Sequence, residues 1–383
     1  MRNKIAVFDD CRRGNEIWFS NLSFNGLMRM DLNTGEVKVT GKFPGYGMEE
    51  RNLHRRVFSY QNKLYFIPWF GKTIDIYDIS ADEFQAIEMP GMDCAVMDAA
   101  RVCDEIWIFA ASDQYPAYVL DLENGNLTPR TWVFDSIRKH VKDISLAISS
   151  VACRGDRIWL GIYDKNFLYQ IDVKKRTVQE IGLPSDVRIK SVDIWGGNLW
   201  ITDALHPELI LIKDGKREIY YSEKIMRRDS FSRVIESGKY KMVLPHYASY
   251  MLFSDSENRR PEKVELPSWS NRCRMGALLF AAEVVGDVCM FLPFSLDGIL
   301  CFDMQKKLWF RKEYRIRGIS DDEIQEMLRI NIGRQKCTGE MGEGIGWEDT
   351  LPIFMEEIAK HVKTRVDRSD INIGNRIYRD VFR

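Results

Sequence analysis

The sequence predicts an all-β fold built from seven repeated four-stranded units. A short apolar run recurs seven times, as "EIWF" at 16, "KLYF" at 63, "EIWI" at 105, "RIWL" at 157, "NLWI" at 198, "YKMV" at 240 and "DVCM" at 287. The steps average about 45 residues, in the range of propeller blades. A four-stranded sheet cannot bury both faces alone, whereas a radial array packs each face against a neighbour. We therefore predict a seven-bladed β-propeller over residues 1–315, followed by a C-terminal helical extension over residues 316–383.

Each unit offers four candidate strands in a fixed order. An apolar run such as "RRVFSY" or "IKSVDIW" precedes the recurring run, and a run ending near Asp follows it, as in "TIDIYDI" and "FLYQIDV". A polar turn and a last run then close the unit, often with Pro, as in "GKFP" and "IGLP". Turn residues therefore fall where strands must reverse. A large β-sandwich and an eight-bladed propeller are the alternatives.

One Asp recurs at the end of the third strand of most units. Because an active site needs a given residue once, recurrence with the blade period indicates a carboxylate that caps a turn. The recurring residues are Asp31, Asp78, Asp121, Asp172 and Asp303.

Composition narrows the functional classes. Lys plus Arg (55) nearly cancels Asp plus Glu (56), so the net charge of -1 does not favour a nucleic-acid binder. The chain contains no run of 18 uncharged apolar residues, so we expect no transmembrane helix. The N-terminus lacks the apolar core of a signal peptide, and the eight cysteines form no C-x-x-C pair. We therefore expect reduced thiols and a cytoplasmic location.

Blade one resembles a known family. The stretch "IWFSNLSFNGLMRMDLNTGEVKVTGKFP" is similar to the blade consensus of the virginiamycin B lyase-like propellers of bacteria, and the similarity fades in blades five to seven. The later stretches "FIPWFGKTIDIYD" and "VLPHYASYMLFSD" resemble uncharacterised propellers encoded in bacterial surface-polysaccharide gene clusters. The first resemblance implies the fold. If the protein were a lyase, the resemblance would also imply a catalytic His and a magnesium ion held by a carboxylate. The stretch "LPHYAS" around His246 lacks the residues that flank the catalytic His in that family.

The C-terminal extension shows helical patterns. Ser320 stands at the N-cap position of "SDDEIQEMLRI", which predicts a short amphipathic helix after the strand pattern stops at Tyr314. Further on, "WEDTLPIFMEEIAKHVK" places its apolar residues on one helical face. The extension is interpreted as a cap on the propeller, or as an element for self-association or for docking a protein partner.

The loops that surround a propeller's channel are rich in cations and aromatic residues. Arg offers two parallel hydrogen bonds to a carboxylate or phosphate, and aromatic faces stack on rings. This pattern predicts a pocket for an anionic saccharide or a nucleotide-sugar, and the alternative is a solvated rim whose Arg residues pair with loop acids. The ligand-binding candidates are His54, Arg55, Arg56, Trp69, Lys72, Arg188, Arg228, Tyr247, Arg272 and Arg274.

Motifs for catalysis are absent from the sequence. No H-x-H or H-E-x-x-H motif supports a zinc site, and no G-x-S-x-G elbow supports a nucleophile. His246 and His206 are the catalytic candidates, since each follows a predicted second strand, but a structural role also explains them. We therefore expect a non-enzymatic binding or scaffold propeller without a metal or cofactor. The alternative is a metal-assisted lyase or a saccharide-modifying enzyme at the channel mouth, with a divalent metal in the lyase case.

Overall fold

The computed structural model describes residues 5–91, 95–139, 146–213, 216–223, 229–255, 260–267, 279–292, 298–324 and 326–327. Within these residues, the strands form seven sheets, and each sheet takes four consecutive strands in antiparallel order. The predicted seven-bladed propeller of four-stranded blades is therefore confirmed.

Blades 1 to 4 occupy the first half of the chain. Their strands are β1 (Cys11–Arg13), β2 (Glu16–Ser20), β3 (Leu27–Asp31) and β4 (Glu36–Gly41); β5 (His54–Tyr60), β6 (Lys63–Pro68), β7 (Thr73–Asp78) and β8 (Glu83–Glu88); β9 (Val96–Val102), β10 (Glu105–Ala110), β11 (Ala117–Asp121) and β12 (Leu127–Arg130); β13 (Ile148–Arg154), β14 (Arg157–Ile162), β15 (Phe167–Asp172) and β16 (Thr177–Gly182).

Blades 5 to 7 complete the ring. Their strands are β17 (Ile189–Trp195), β18 (Asn198–Asp203), β19 (Glu208–Lys213) and β20 (Lys216–Ser222); β21 (Phe231–Ser237), β22 (Tyr240–Pro245), β23 (Tyr250–Ser254) and β24 (Glu262–Glu265); β25 (Ala282–Val285), β26 (Val288–Phe291), β27 (Ile299–Asp303) and β28 (Leu308–Lys312). The seven recurring apolar runs fall on the second strands β2, β6, β10, β14, β18, β22 and β26.

Apolar clusters fill the seams between neighbouring blades. Trp18 of blade 1 packs with Phe66 of blade 2, and a separate cluster joins Ile17 of blade 1 to Met290 of blade 7. Each of the other neighbouring pairs has a cluster of its own. Since each blade buries both faces in this way, the near-continuous apolar runs of the second strands follow from the radial packing.

A strand that the sequence did not predict follows blade 7. The strand β29 (Arg315–Arg317) pairs in parallel with β4, so the sheet of blade 1 has five strands. Three residues at a sheet edge are too short for a periodic signal. The strand holds the chain that leaves blade 7 against the outer edge of blade 1.

The predicted extension starts with the last two residues of β29, and residues 321–324 and 326–327 then have helical backbone. Ser320 and Glu323 form a reciprocal cap, because the backbone N–H of Glu323 donates to Ser320 Oγ at 3.2 Å and the N–H of Ser320 donates to Glu323 Oε2 at 2.8 Å. Ile324 and Met327 are buried with the core of blades 1 and 7. The rest of the predicted helical extension lies outside the described residues.

The recurring Asp residues cap turns, as predicted. Asp31 accepts hydrogen bonds from the backbone N–H groups of Asn33 and Thr34, and Asp78 accepts them from Ser80 and Ala81. The same arrangement occurs at Asp121, Asp172 and Asp303.

A further helix, α1 (Trp132–Arg138), follows blade 3 and buries Val133, Phe134 and Ile137 between blades 3 and 4. None of the described helices is long and apolar enough to cross a lipid bilayer.

Candidate functional site

An ion-paired ring occupies the channel between the inner strands. This channel ring comprises Asp9, Arg56, Asp98, Asp193 and Arg233. Arg56 donates from Nε to Asp98 Oδ1 at 2.5 Å and from Nη2 to Asp98 Oδ2 at 3.1 Å, and its Nη1 donates to Asp9 at 3.2 Å. Arg233 lies 3.6 Å from Asp9 and 4.0 Å from Asp193. The ion pairs run in series from Asp98 through Arg56, Asp9 and Arg233 to Asp193. The channel ring thus links blades 3, 2, 1, 6 and 5, and no ion pair among the described residues closes it.

The carboxylates of the channel ring also accept backbone hydrogen bonds from the next blade. Asp9 accepts from the N–H of Val57 at 3.0 Å, Asp98 from Val151 at 2.8 Å, and Asp193 from Val234 at 3.0 Å. Each carboxylate thus joins two adjacent inner strands, and we interpret the ring as a structural element of the channel.

Two carboxylates of the channel ring, Asp98 and Asp193, have pKa values shifted in opposite directions. Burial raises the pKa of Asp98, but the pairing with Arg56 outweighs it, so the pKa is lowered overall. Burial raises the pKa of Asp193 to about 6, because Arg233 lies too far away to compensate. Asp98 is therefore ionised across the neutral range, whereas Asp193 gains a proton in mildly acidic conditions.

Arg55 lies beside the ring, at the end of the channel where β5 begins. Its guanidinium carbon lies 3.7 Å from the ring centroid of Phe8 and 4.8 Å from that of Trp69, and its Nε donates to the carbonyl of Met97 at 3.0 Å. No carboxylate among the described residues forms an ion pair with it. Burial lowers the pKa of Arg55 to about 10, so the group stays charged at neutral pH.

Aromatic side chains extend from Arg55 around this end of the channel. Phe8 stacks on Phe280 at 4.6 Å between ring centroids, Phe280 lies 5.6 Å from His246, and His246 lies 4.2 Å from Tyr247. We call Phe8, Arg55, Trp69, Phe280, His246 and Tyr247, together with the group described next, the mouth.

A lysine, a carboxylate and a phenol complete the mouth. Lys190 Nζ lies 3.3 Å from Asp229 Oδ1 and 5.3 Å from the ring centroid of Tyr163, whose hydroxyl donates to Asp229 at 3.3 Å. Burial lowers the pKa of Lys190, and Asp229 opposes that shift. The carboxylate neutralises the lysine, so Arg55 carries the mouth's uncompensated positive charge among the described residues.

His246 is a neutral imidazole in this setting. Its Nδ1 is buried and has no hydrogen-bond partner among the described residues. Burial, and then the charge of Lys190, lowers the pKa of His246 to about 3. A histidine of such low basicity is a poor proton acceptor at neutral pH, but its ring nitrogen can accept a hydrogen bond from a ligand.

The structure brings together some of the predicted site residues. Arg55, Trp69, His246 and Tyr247 lie in the mouth, and Arg56 lies next to it in the channel ring. Arg228, Arg272 and Arg274 lie outside the described residues.

Other candidates have different surroundings. His54 is buried, with Nε2 at 2.8 Å from Asp75 and Nδ1 at 2.8 Å from the hydroxyl of Ser20. Arg188 donates to the carbonyls of Ser185 and Val187 at 2.6 and 2.8 Å. His206 is partly exposed, with Nδ1 at 3.4 Å from Asp203. Lys72 is exposed, and its backbone N–H donates to Tyr46.

Sequence reasoning missed several residues of the channel. Asp9, Asp98 and Asp193 each follow apolar residues of an inner strand, in "AVFDD", "AVMDAA" and "SVDIW". A carboxylate within the apolar run of an innermost strand is buried and must be paired, so its position in such a run could have identified these residues from the sequence. Phe8 and Phe280 gave no signal, because an aromatic residue in a strand is usually part of the core.

The described residues do not fit a metal ion. No three His, Cys, Asp or Glu side chains among them converge in a way that could hold one. In the channel ring, Asp9 and Asp98 are engaged by Arg56, and in the mouth Asp229 is engaged by Lys190. We therefore derive no step through a metal.

The fold and the channel define a seven-bladed β-propeller with an ion-paired ring and an aromatic mouth. No protein-family model matches the chain, and no curated protein matches its sequence. Among solved structures, a catalytically inactive His-to-Ala variant of virginiamycin B lyase from Staphylococcus aureus, with quinupristin, matches with a TM-score of 0.61 at 11% identity. The match covers 78% of this chain and 95% of that chain. The chain is thus structurally like virginiamycin B lyase at low sequence identity.

Two longer proteins also contain a similar propeller. PorZ, a surface component of the type-IX secretion system of Porphyromonas gingivalis, matches with a TM-score of 0.55 at 12% identity, over 82% of this chain and 38% of that chain. An extracellular domain from B. thetaiotaomicron matches with a TM-score of 0.56 at 15% identity, over 76% of this chain and 37% of that chain. At these identities the likeness concerns the fold, which lyases and surface domains share.

Proposed function

We propose that this protein is a binding propeller whose mouth holds an anionic ligand, either an acidic or phosphorylated saccharide or a nucleotide-sugar. The observation that carries the proposal is Arg55, a half-buried guanidinium that stays charged, has no carboxylate partner among the described residues and lies between aromatic rings. A cytoplasmic location and a protein partner or self-association through the C-terminal helices stay predictions.

The geometry of Arg55 suits recognition of an anion. Its Nε is engaged by the carbonyl of Met97, which fixes the plane of the guanidinium, and the two Nη groups are the donors left for a ligand. Two parallel hydrogen bonds from a guanidinium match a carboxylate or a phosphate. The indole of Trp69, whose ring centroid lies 4.8 Å from the guanidinium carbon, is an aromatic surface for a sugar or a base.

The low basicity of His246 favours binding over proton transfer. A general base works best when its pKa lies near the operating pH, whereas the pKa of His246 is lowered to about 3. The cations that lower it, Lys190 and Arg55, are the groups that an anionic ligand would neutralise. We therefore expect the pKa of His246 to rise when a ligand binds.

A lyase or saccharide-modifying enzyme is the second candidate function. Its support is the buried, unpartnered Nδ1 of His246 in the channel of a fold whose lyase relative is inactive as a His-to-Ala variant. If His246 acted as a base, the rate of turnover of a bound saccharide would vary with pH according to the pKa of His246 in the complex.

A thermal-shift screen tests the proposal. Purified protein is heated with nucleotide-sugars, uronic acids and phosphosugars, and a ligand at 100 times its dissociation constant should stabilise the fold by about 2.7 kcal/mol. Arg55→Gln should weaken binding by about 10- to 100-fold, since charge-assisted hydrogen bonds contribute about 1.5–3 kcal/mol. Arg188→Gln is the matched control, because Arg188 is already engaged by the carbonyls of Ser185 and Val187 and lies 4.0 Å from Asp164.

The outcomes separate the alternatives. A ligand that binds the wild type and the Arg188→Gln variant equally, but not the Arg55→Gln variant, supports the proposal. Equal binding to the wild type and both variants, or no shift with any anion, contradicts it. Product formed from a bound saccharide by the wild type, and lost in the His246→Ala variant, would favour the enzyme.

A further inference from the structure

A concave region lies between blades 4 and 5, at the opposite end of the inner strands from the mouth. This seam groove has a volume of about 490 Å³ and lies against the turns that follow β13 and β17. Lys190 at the start of β17 belongs to the mouth, whereas Gly197 just after the strand lines the groove. Seven residues of extended chain separate the two sites by roughly 20 Å.

The seam groove combines an apolar base with cationic walls. Trp159, Ile194 and Leu199 supply the apolar surface, and Arg154 and Arg157 line the walls. Two lysines of the lining are already paired. Lys174 lies 2.8 Å from Asp156, and Lys175 lies 3.8 Å from Asp172.

Two arginines of the seam groove have no carboxylate partner among the described residues, because the lysines pair with the carboxylates of the lining. All the carboxylates that line the groove belong to these two lysine pairs. Arg154 and Arg157 form no ion pair with a carboxylate of the described residues. The groove therefore carries two guanidinium groups in excess, next to an indole.

Gly197 fixes the position of Arg154 across the seam. Arg154 Nη1 donates to the carbonyl of Gly197 at 2.9 Å, so a side chain of blade 4 is held by the backbone of blade 5. A Cβ at position 197 would lie 2.3 Å from this Nη1, and the φ of +84° is one that few other residues adopt. The glycine is thus required both for the turn and for the approach of the guanidinium.

We propose that the seam groove binds a small anionic ligand that carries a carboxylate or phosphate next to an apolar ring face. Arg154 and Arg157 hold the anionic group, and Trp159 contacts the ring. The volume lies within the roughly 300–1,000 Å³ typical of ligand pockets. The site is separate from the mouth, and its occupation does not depend on Arg55.

NMR of the Trp159 indole N–H tests this site. The resonance is assigned by its loss in the Trp159→Phe variant, and the full chain is titrated with inorganic phosphate, glucose 6-phosphate and glucuronate. We expect a saturable shift with one or both of the sugars and a weaker response to phosphate alone. The two sugars distinguish phosphate from carboxylate as the recognised group.

Four further variants make the assignment specific. The double variant R154Q/R157Q should weaken binding at least tenfold, and Gly197→Ala should weaken it as well by displacing Arg154. R217Q on the exposed edge strand β20 removes a charge outside the groove and should change nothing. Arg55→Gln should leave this response intact even if the mouth binds no ligand.

A response that does not saturate, or that persists unchanged in R154Q/R157Q, overturns the proposal. Melting curves of each variant establish that it is folded. If the double variant does not fold, Gly197→Ala and the single variants R154Q and R157Q decide the question by the same titration.

Discussion

Replacing Arg56 with Met tests the structural role of the channel ring. Arg56 makes two hydrogen bonds to Asp98 and one to Asp9, and the side chains of Arg56 and Asp98 are 17% and 4% exposed. Removing one partner of a buried ion pair costs about 3–5 kcal/mol, because the other charge is left without compensation.

We expect a loss of about 3 kcal/mol, at the low end of that range. Asp98 keeps the hydrogen bond from the backbone N–H of Val151, which continues to stabilise its negative charge. In a chain of this size the unfolding entropy is about 0.8 kcal/mol/K, so each kcal/mol corresponds to about 1.2 °C of melting temperature and the variant should melt about 4 °C lower. Urea denaturation of the wild type and the variant gives the free energy directly.

The adjacent Arg55 provides the matched control. Arg55→Met removes a cation of the same size that lacks a carboxylate partner among the described residues, so it loses cation–π contacts of about 1 kcal/mol and the hydrogen bond to the carbonyl of Met97, but no ion pair. Arg56→Lys keeps the positive charge but loses the paired hydrogen bonds of the guanidinium. Its loss of unfolding free energy should lie between those of Arg56→Met and Arg55→Met. If Arg56→Met costs no more than Arg55→Met, the ring does not stabilise the fold in the way described.

The pH dependence of the same variant gives a second test. The folded-state pKa of Asp98 is lowered below 3.8, so the stability that it contributes is present above pH 4 and is lost as the pH falls through the folded value. The difference in unfolding free energy between wild type and Arg56→Met should therefore be largest at neutral pH and shrink in acid. A constant difference from pH 7 to pH 3 would refute the reasoning.

Three further variants probe other buried and turn carboxylates. Asp193→Asn should gain stability over the wild type as the pH rises from 4 to 7, by at most about 3 kcal/mol. The pKa of Asp193 is raised to about 6 in the folded state, so its ionisation favours the unfolded state. If that shift is absent, the difference in melting temperature between the two proteins will not change across this pH range. His54→Ala should cost about 3 kcal/mol in urea denaturation, since Asp75 is fully buried and loses the Nε2 partner, and a cost below 1 kcal/mol would exclude that role. Asp78→Ala removes three turn hydrogen bonds near the surface, so its effect should be clearly smaller than that of His54→Ala, measured side by side.

The blade pattern could be predicted from the sequence because it depends on local and repeated chemistry. Each second strand is an apolar run at a regular spacing, and in five blades the turn that follows the third strand has an Asp whose side chain accepts hydrogen bonds from the next backbone N–H groups, as at Asp31 and Asp78. Such signals recur every blade, so one weak copy is supported by the others. The short strand β29 has no repeat to support it and was missed.

The site could be predicted only in part, because strand geometry separates neighbours in sequence. His54, Arg55 and Arg56 are consecutive, yet His54 is buried against Asp75, Arg55 lies in the mouth and Arg56 enters the channel ring. The partner of Arg56, Asp98, lies 42 residues further along the chain, in the next blade. Only the arrangement of the blades around the channel determines such pairs.

The most direct test of the central claim is a crystal structure of the protein with the strongest anionic ligand from the thermal-shift screen. The account predicts that an oxygen of the anionic group lies within hydrogen-bonding distance of the Nη atoms of Arg55, with the sugar or base against Trp69 or Phe280. A ligand found away from Arg55, with the mouth unaltered, would contradict the proposal that this guanidinium recognises the anion.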